Sequence, residues 1–294
     1  MSGGTTAADL ASGKGHRDEN FPVASRLVRP ELRPAIMAFY RFARAADDAA
    51  DHPTADPADK LARLDALEAG LDGAPGGAAE GESLRDVLRD RDLPDVHARD
   101  LLVAFRRDVT QRRYPDWAAL MDYCRYSAAP VGRFVLDLHG EDRALWPAND
   151  ALCAALQVVN HLQDCGKDYA ALDRVYLPLD DLAAAGAGVE ALAEPRASPA
   201  LRAVLAALAA RTADLLRGSR PFAAGIADRR LSLEVGMIQA LAENLAARLA
   251  RRDPLSERVH HRGGEAVRIA LLGAGRTALA RLLPRPAGRP GIAA

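Results

Sequence analysis

The sequence has few cysteines and lysines, and it has no long apolar run. Its three cysteines, Cys124, Cys153 and Cys165, form neither an even set nor a metal-ligand spacing. This favours a reduced protein over one held together by disulfides or zinc. No apolar stretch reaches the roughly 18 residues needed to cross a bilayer, and the polar residues 1–18 do not resemble a signal peptide. We therefore expect a cytoplasmic protein, and leave open a peripheral contact with the cytoplasmic membrane.

The chain also lacks a strong net charge. Its 39 basic and 40 acidic residues give a formal net charge of -1, so no nucleic-acid partner is expected. At 294 residues, with 49% of them apolar, the chain can bury a large core. Alternation of β-branched residues is scarce, whereas Ala, Leu and Arg recur at helical spacing. We predict one all-α domain of ten or more helices over residues 19–283, between disordered tails at 1–18 and 284–294.

Helical periodicity predicts the individual elements. The first helix covers residues 32–51, with Pro34 tolerated in its first turn. The second covers residues 60–71 and is closed by a Gly-rich loop at 72–83. A long helix begins at an N-cap, Asn149 or Asp150, and ends near Asp173, before an extended segment that leads into a short helix. The other predicted helices lie within residues 97–113, 117–140 (one or two helices around Pro130), 199–222, 232–252 and 264–283.

An acidic group lies at the end of the first predicted helix. Asp47, Asp48 and Asp51 form the pattern DDxxD, and Asp47 and Asp51 are about 40 degrees apart around the helix. Tyr40 and Arg44 fall on the same stripe. Carboxylates at this spacing repel each other, whereas a divalent ion such as Mg2+ binds carboxylate oxygens and shares its coordination with phosphate. Taken alone, the motif is equally typical of a solvated helix end.

The long helix carries a second polar stripe. Gln157, Asn160, Asp164 and Asp168 follow each other at offsets of three, four and four residues, within about 80 degrees of the helix surface. The preceding residues 151–159 are apolar enough to belong to a core. A row of amides and carboxylates on such a helix usually faces a cavity or a metal rather than apolar side chains. Two such stripes in one helical chain indicate a shared site.

Facing carboxylate rows suit the ionisation of a prenyl diphosphate. An allylic or cyclopropylcarbinyl diphosphate ionises when the negative charge of its leaving group is neutralised, which Mg2+ can do. Arginines add charge-assisted hydrogen bonds to phosphate oxygens. The carbocation that remains needs an apolar, water-poor cavity lined by aromatic faces, and helical bundles form cavities between their helices. We therefore expect a prenyl diphosphate substrate and Mg2+ as cofactor.

Four segments of the chain resemble the squalene and phytoene synthase family. Residues 19–27 (ENFPVASRL) resemble its opening, residues 39–51 its first aspartate motif and residues 123–133 (YCRYSAAPVGR) its central motif. Residues 157–178 resemble its second aspartate motif and the Arg-x-Tyr-Leu-Pro that follows. After Pro178 only general helical character remains. The resemblance implies an all-α isoprenoid synthase bundle in a single domain, with a central cavity between the helices.

The resemblance also implies roles for individual residues. Those that would hold Mg2+ and the diphosphate are Asp47, Asp48, Asp51, Asp164 and Asp168. Those that would contact the diphosphate or flank the second metal row are Arg44, Arg133, Arg174, Gln157 and Asn160. The aromatic residues that would line the cavity of the carbocation are Phe39, Tyr40, Tyr123 and Tyr176, each with core packing as the alternative. Asp108 is expected to pair with a nearby arginine.

Three positions depart from the common family pattern. Asp173 stands where glycine is typical, so we expect a different local backbone there. Gln163 precedes Asp164 where many relatives carry arginine, which removes a charge that would face the phosphate. Asn20 stands before Phe21 where serine is common. The last two departures resemble the branch that forms hydroxysqualene for bacterial hopanoid biosynthesis.

The resemblance implies an enzyme that ionises presqualene diphosphate with Mg2+ and rearranges the carbocation. Water then captures it, giving hydroxysqualene and diphosphate. NADPH is not expected, because this outcome needs no reductant. Two alternatives stay open: head-to-head condensation to presqualene diphosphate, squalene or phytoene, and a non-catalytic scaffold subunit. The second motif disfavours a terpene cyclase or a chain-elongating prenyl synthase. Association with other pathway enzymes and the oligomeric state are left open.

Overall fold

The computed structural model describes residues 27–282, and this part of the chain contains twelve α-helices. Their bounds are α1 Arg33–Ala50, α2 Pro57–Asp72, α3 Ala79–Asp90, α4 Val96–Thr110, α5 Trp117–Ser127, α6 Ala129–His139, α7 Trp146–Leu172, α8 Leu179–Ala184, α9 Pro199–Ser219, α10 Phe222–Gly225, α11 Arg229–Leu249 and α12 Gly263–Leu282. No strand occurs between residues 27 and 282. The all-α prediction is confirmed. The tails at 1–18 and 284–294, and residues 19–26 of the opening segment, lie outside the described residues.

Most helices begin and end where the sequence predicts, because local capping groups are present. Pro34 lies in the first turn of α1, where its missing N–H costs nothing. The side chain of Asp56 accepts a hydrogen bond from the amide of Asp59 at the start of α2, and Gly73 ends α2 in the left-handed conformation. Ser198 caps α9 in the same way as Asp56 caps α2.

Helix α3 begins inside the segment predicted as a Gly-rich loop. The glycines there serve a helix contact, because α2 and α3 pack with their backbones very close together. A Cβ atom added to Gly81 would lie 2.3 Å from the carbonyl oxygen of Leu67, and one added to Gly70 would lie 2.5 Å from that of Ala78. Glycine permits both a loop and such a close approach, so the composition alone did not distinguish the two.

Helix α7 begins at Trp146, before the predicted N-cap at Asn149 or Asp150. Neither residue caps the helix, so that prediction is wrong. Asn149 is buried and donates through Nδ2 to the carbonyl of Ala129 at the start of α6. Asp150 accepts two hydrogen bonds from Arg133 on α6. Both polar side chains therefore join α7 to α6.

Two apolar clusters form the core. One gathers side chains of α1 to α4, among them Phe42 and Leu102, which are fully buried. The other gathers side chains of α5, α7, α9 and α11, among them Val159 and Leu245. Burying each such side chain contributes about 1.5–3 kcal/mol. The first aspartate motif belongs to a helix of the first cluster and the second motif to a helix of the other, while α6 contributes to both.

The extended segment predicted after α7 is present. The amide of Val175 donates to the carbonyl of Arg112 at 2.9 Å, and the amide of Leu179 donates to that of Tyr114 at 3.0 Å. These bonds fasten residues 173–178 to the loop between α4 and α5 before α8 begins. Val175, Tyr176 and Leu177 are thereby held within the cluster of α5, α7, α9 and α11, while Arg174 reaches the end of α1.

Candidate active site

The first aspartate motif lies at the end of α1, where its carboxylates are half-buried. Arg44 approaches two of them: Nη1 is 3.2 Å from Oδ2 of Asp47, and Nη2 is 2.9 Å from Oδ1 of Asp48. Oδ1 of Asp48 is closed off from solvent, yet its contact with Arg44 does not have hydrogen-bond geometry. Tyr40 is also half-buried, one turn before Arg44. The motif therefore keeps acceptor capacity for a cation.

Arg174 connects this motif to the other half of the protein. Its buried guanidinium group donates to the carboxylate of Asp51, to the carbonyl of Ala50 at 3.3 Å and to the carbonyl of Asp108 at 3.1 Å. One cation thus joins the end of α1, helix α4 and the segment after α7. It also offsets the charge of Asp51, since a buried charge needs a partner.

Lys60 is a second cation at the end of α1. Its Nζ donates to the carbonyl of Ala50 at 3.1 Å. Burial lowers the pKa of Lys60, and the positive charge of Arg174 lowers it further, against the attraction of Asp51. Lys60 is not among the site residues predicted from the sequence, although it is one of only three lysines. With Arg44 and Arg174 it makes the surroundings of this motif favourable for an anion.

The second polar row lies along α7, and its side chains are half-buried: Gln157, Asn160, Asp164 and Asp168. A cleft of about 480 Å³ opens beside Asp164, between α7 and the loop at residues 254–260. Lys167 and Arg258 are exposed at this cleft. The carboxylate of Asp164 is therefore accessible and has basic side chains around it.

Gln163 faces away from solvent, toward the loop at residues 254–260. Its side chain is buried and its Nε2 donates to the carbonyl of Val259. A charged arginine would lack an acidic partner in this contact. The uncharged residue therefore fits a position that holds the loop against α7.

A buried carboxyl group lies close to Arg174 and to two tyrosines. Asp108 on α4 accepts hydrogen bonds from the hydroxyl of Tyr123 at 2.8 Å and from that of Tyr176 at 3.0 Å. Burial raises the pKa of Asp108 to about 6, although Arg174 and the two hydroxyl donors oppose the shift. Asp108 was expected to pair with an arginine, but Arg174 bonds only to the backbone carbonyl of Asp108. The hydrogen-bond partners of its carboxylate are the two tyrosines.

Aromatic rings surround this carboxyl group. Tyr123 and Tyr176 are buried with ring centroids 5.5 Å apart, and Tyr114 packs against both. His161 of α7 stacks on Tyr176 at 3.6 Å. Burial, assisted by the charge of Arg174, lowers the pKa of His161 to about 3, so its ring is neutral at pH 7. Tyr123 and Tyr176 thus belong to a buried cluster that contacts α7 through His161, and their role in lining a cavity stays a prediction.

Phe39 is placed elsewhere than predicted. Its ring is buried in the cluster of α1 to α4 and stacks on Phe134 with centroids 4.1 Å apart and planes inclined by 8°. Core packing, the alternative interpretation, is therefore what the structure shows for Phe39. The helical period explains the difference, because Phe39 and Asp47 are about 80 degrees apart around α1.

Arg133 also lies apart from the aspartates. It pairs with Asp150, and its guanidinium group lies over the ring of Trp146, 4.6 Å from the centroid. Asp150 precedes Asp164 by 14 residues, or about 21 Å along α7. This position does not support the predicted contact of Arg133 with phosphate, and we reassign the residue to the contact between α6 and α7.

Asp173 occupies the position where glycine is typical of the resembling family. Its backbone has φ 50° and ψ 37°, the left-handed conformation that ends α7. Its carboxylate bonds to Arg112 at 2.9 Å and to Arg113, and these hydrogen bonds lower its pKa. Aspartate thus adopts a conformation that favours glycine and adds two ion pairs, and the expected difference from the backbone of the family stays a prediction.

The donor set fits magnesium bound together with a diphosphate. Within residues 27–282 no three acidic, histidine or cysteine side chains enclose a metal site on their own. Mg2+ usually keeps several waters and is held by one or two carboxylates and the phosphates of its substrate. Half-buried carboxylates on two helices provide such ligands. Among them, Asp48 Oδ1 forms an ion pair with Arg44 but accepts no hydrogen bond.

Comparisons with known proteins find relatives over most of the chain. A model of the squalene/phytoene synthase family matches residues 15–265. The chain is 57% identical over 270 residues to a hydroxysqualene synthase of Rhodopseudomonas palustris, with 92% of each chain covered. It is 54% identical over 270 residues to a hydroxysqualene synthase of Zymomonas mobilis, with 91% of each covered. Among solved structures it is similar to squalene synthase HpnC from Alicyclobacillus acidocaldarius, with a TM-score of 0.68 and 33% identity over 78% of this chain and 87% of that chain.

Proposed function

Because the chain belongs to the squalene/phytoene synthase family, we propose that it converts presqualene diphosphate and water to hydroxysqualene and diphosphate. The observation that carries this proposal is the similarity, at 53–57% identity, to three relatives named hydroxysqualene synthase. That similarity extends over most of the chain and includes both aspartate rows. The protein is accordingly an isoprenoid synthase that uses a prenyl diphosphate.

The aspartate rows and the neighbouring cations bind the diphosphate end of the substrate. Asp47, Asp48 and Asp51 on α1, with Asp164 and Asp168 on α7, are the residues that would hold Mg2+. When bound, Mg2+ neutralises the negative charge that develops on the leaving diphosphate. The arginine and lysine groups at the end of α1 donate hydrogen bonds to phosphate oxygens.

The aromatic cluster stabilises the carbocation that remains. The π faces of Tyr123 and Tyr176 attract positive charge, and their burial keeps bulk water away. The hydrogen bonds from both hydroxyls to Asp108 fix the planes of the rings. Tyr40, half-buried near the first motif, supplies a further ring on the other side of the site.

Product analysis tests the reaction. Purified protein and Mg2+ would be incubated with presqualene diphosphate and, separately, with farnesyl diphosphate, each with and without NADPH, before mass spectrometry. We expect hydroxysqualene from presqualene diphosphate without NADPH. Presqualene diphosphate or squalene formed from farnesyl diphosphate would replace the proposal with head-to-head condensation. No product from either substrate would favour longer prenyl diphosphates or a scaffold subunit.

Substitution of single aspartates tests the site. Asp47→Ala and Asp164→Ala should each lower turnover by about 100-fold or more, with little change in thermal unfolding, because both side chains are half-exposed. Asp214→Ala is the matched control, since Asp214 is exposed on α9 and pairs with Arg217 of the same helix. Full turnover in both active-site variants would remove these aspartates from the mechanism.

We also propose that the enzyme acts at the cytoplasmic face of a membrane, through helix α12. No helix within residues 27–282 is long and apolar enough to span a bilayer. Five of the seven exposed large apolar side chains in that range nevertheless lie on α12: Val267, Leu271, Leu272, Leu279 and Leu282. Arg268 and Arg276 are exposed beside them. An apolar helix face with arginines suits an anionic lipid surface, which can also receive the apolar product.

Vesicle flotation tests this surface. We expect the wild type to float with vesicles of phosphatidylcholine and phosphatidylglycerol, and more so as the share of phosphatidylglycerol increases. The variant carrying Leu271→Glu and Leu272→Glu should remain in the lipid-free fraction. Val131→Glu, at an exposed apolar residue of α6, is the control and should float. A dimer in solution that does not bind vesicles would instead make this face an interface between copies.

A further inference from the structure

His161 is a buried histidine on α7 that the reaction described above does not use. Its side chain is 8% exposed, and within the described residues its Nε2 is enclosed and has no hydrogen-bond partner. A buried polar atom without a partner costs about 1–3 kcal/mol. In a native protein such an atom is explained by stored strain, by a bound water or ion, or by a catalytic role.

The imidazole ring is held in a fixed orientation. It lies almost parallel to the ring of Tyr176, with an interplanar angle of 15°, and Tyr114 packs on the opposite side of Tyr176 at 5.6 Å. Tyr123 closes the cluster at 6.1 Å from His161. Because the hydroxyl of Tyr176 is itself bonded to Asp108, the position of Nε2 is set by packing and hydrogen bonding together.

His161 also lies on the helix face that carries the second aspartate row. It is about 20 degrees from Asp168 and about 60 degrees from Asp164 around α7. The aspartates on this face are half-buried, whereas His161 is buried among the aromatic rings. The residue therefore lies where the helix face of the second aspartate row meets the aromatic cluster.

We propose that His161 binds, through Nε2, the water molecule that captures the carbocation, and that it thereby directs the reaction to an alcohol. This role rests on the proposed conversion of presqualene diphosphate. Both oxygens of Asp108 already accept hydrogen bonds from Tyr123 and Tyr176. The hydroxyl of Tyr114 is also enclosed without a partner, but Tyr176 lies between Tyr114 and His161.

The capture step balances without a further reactant. The bond between carbon and the diphosphate oxygen breaks, and its electron pair leaves with the diphosphate. A lone pair of the water oxygen forms the new C–O bond, and the proton of the resulting oxonium ion passes to Nε2 and then to the released diphosphate. The neutral imidazole, in the tautomer protonated on Nδ1, accepts this proton because a protonated alcohol is a much stronger acid than an imidazolium ion.

The test separates ionisation from water capture. Presqualene diphosphate and Mg2+ would be given to the wild type and to His161→Phe, which keeps an aromatic ring against Tyr176 but has no nitrogen. Release of diphosphate and formation of hydroxysqualene would be measured in the same reaction, in water enriched in oxygen-18. We expect His161→Phe to release diphosphate at a rate close to that of the wild type. Its yield of hydroxysqualene per diphosphate should fall at least about tenfold, with hydrocarbon elimination products in its place.

Two further variants complete the comparison. Tyr114→Phe removes the hydroxyl of Tyr114, which like Nε2 of His161 is enclosed without a hydrogen-bond partner, and should leave the product ratio unchanged. His161→Gln keeps a group that can bind water and should restore part of the alcohol yield, and it serves as the folded variant if phenylalanine does not fit.

Each outcome decides the role of His161. An unchanged ratio of hydroxysqualene to diphosphate in His161→Phe would overturn the proposal. So would a proportional loss of both products, in either histidine variant, because that indicates a structural role. If the wild type itself forms no hydroxysqualene from presqualene diphosphate, the proposed function fails first. Incorporation of oxygen-18 by the wild type, with loss of alcohol only in His161→Phe, supports the proposal.

Discussion

Substituting Asp108 with asparagine removes a buried charge while keeping the shape of the side chain. Burial raises the pKa of Asp108 to about 6, against 3.8 for an exposed aspartate. This difference of about two pH units corresponds to about 3 kcal/mol of free energy. The native state binds the proton more tightly than the unfolded state does. The contribution of Asp108 to the free energy of unfolding should therefore be largest below about pH 3.8 and be lost as the pH rises through about 6.

The asparagine variant should lack this pH dependence. It also has a cost that does not vary with pH, about 1–3 kcal/mol, because Tyr123 and Tyr176 no longer share a carboxylate acceptor. Relative to the wild type, Asp108→Asn should therefore be more destabilised near pH 4 than near pH 7, by up to about 3 kcal/mol. The change of this difference with pH is the quantity that the structure predicts.

Urea unfolding of the wild type and of Asp108→Asn, followed by circular dichroism at several pH values between about 4 and 7.5, measures the difference in their free energies of unfolding. Asp214→Asn is the control, because Asp214 is exposed on α9 and its substitution should shift stability little at any pH. Parallel curves for the wild type and Asp108→Asn across this range would refute the reasoning, since the carboxyl group would then titrate alike in the native and unfolded states.

Three other substitutions follow from the packing. Phe39→Ala should lower the free energy of unfolding by about 3–5 kcal/mol in urea titrations, because the ring stacks on Phe134 in the core; a loss below about 1 kcal/mol would contradict this placement. Arg174→Ala should destabilise the protein by about 1–3 kcal/mol and also lower turnover, since it leaves the carbonyls of Ala50 and Asp108 without their buried donor and Asp51 without its ion pair. Unchanged stability and turnover would show that these contacts are dispensable. Gly273→Ala should lower the melting temperature, because the added Cβ would lie 2.4 Å from the carbonyl oxygen of Gly236. Gly275→Ala is the control and should raise the melting temperature slightly, because the space around Gly275 is open. Equal shifts in the two variants would contradict the close packing of α11 on α12.

Features that depend on one helix were predictable from the sequence. The period of 3.6 residues relates the positions along a helix, so the stripe from Tyr40 to Asp51 and the row from Gln157 to Asp168 follow from spacing alone. The bounds of α1 follow from Pro34 and from its apolar face. The roles of the aspartates in metal binding stay predictions that the proposed substitutions test.

Features that depend on contacts between helices were not predictable. Arg133 and Arg174 are equivalent as sequence letters, yet one pairs with Asp150 and the other with Asp51. Phe39 belongs to a predicted motif but turns to the core. The glycines before α3 were taken for a loop because composition does not distinguish a loop from a close contact of two helices.

The sequence by itself therefore determined the helical class, the family and the two acidic rows, because each of these depends only on local periodicity and short motifs. Only the tertiary structure decided that Asp108 bonds to two tyrosines, that Arg174 joins the two halves and that His161 is enclosed without a partner. The reason is physical. A pattern along the chain reports which side chains share a helix face, whereas the partner across an interface depends on how distant helices pack.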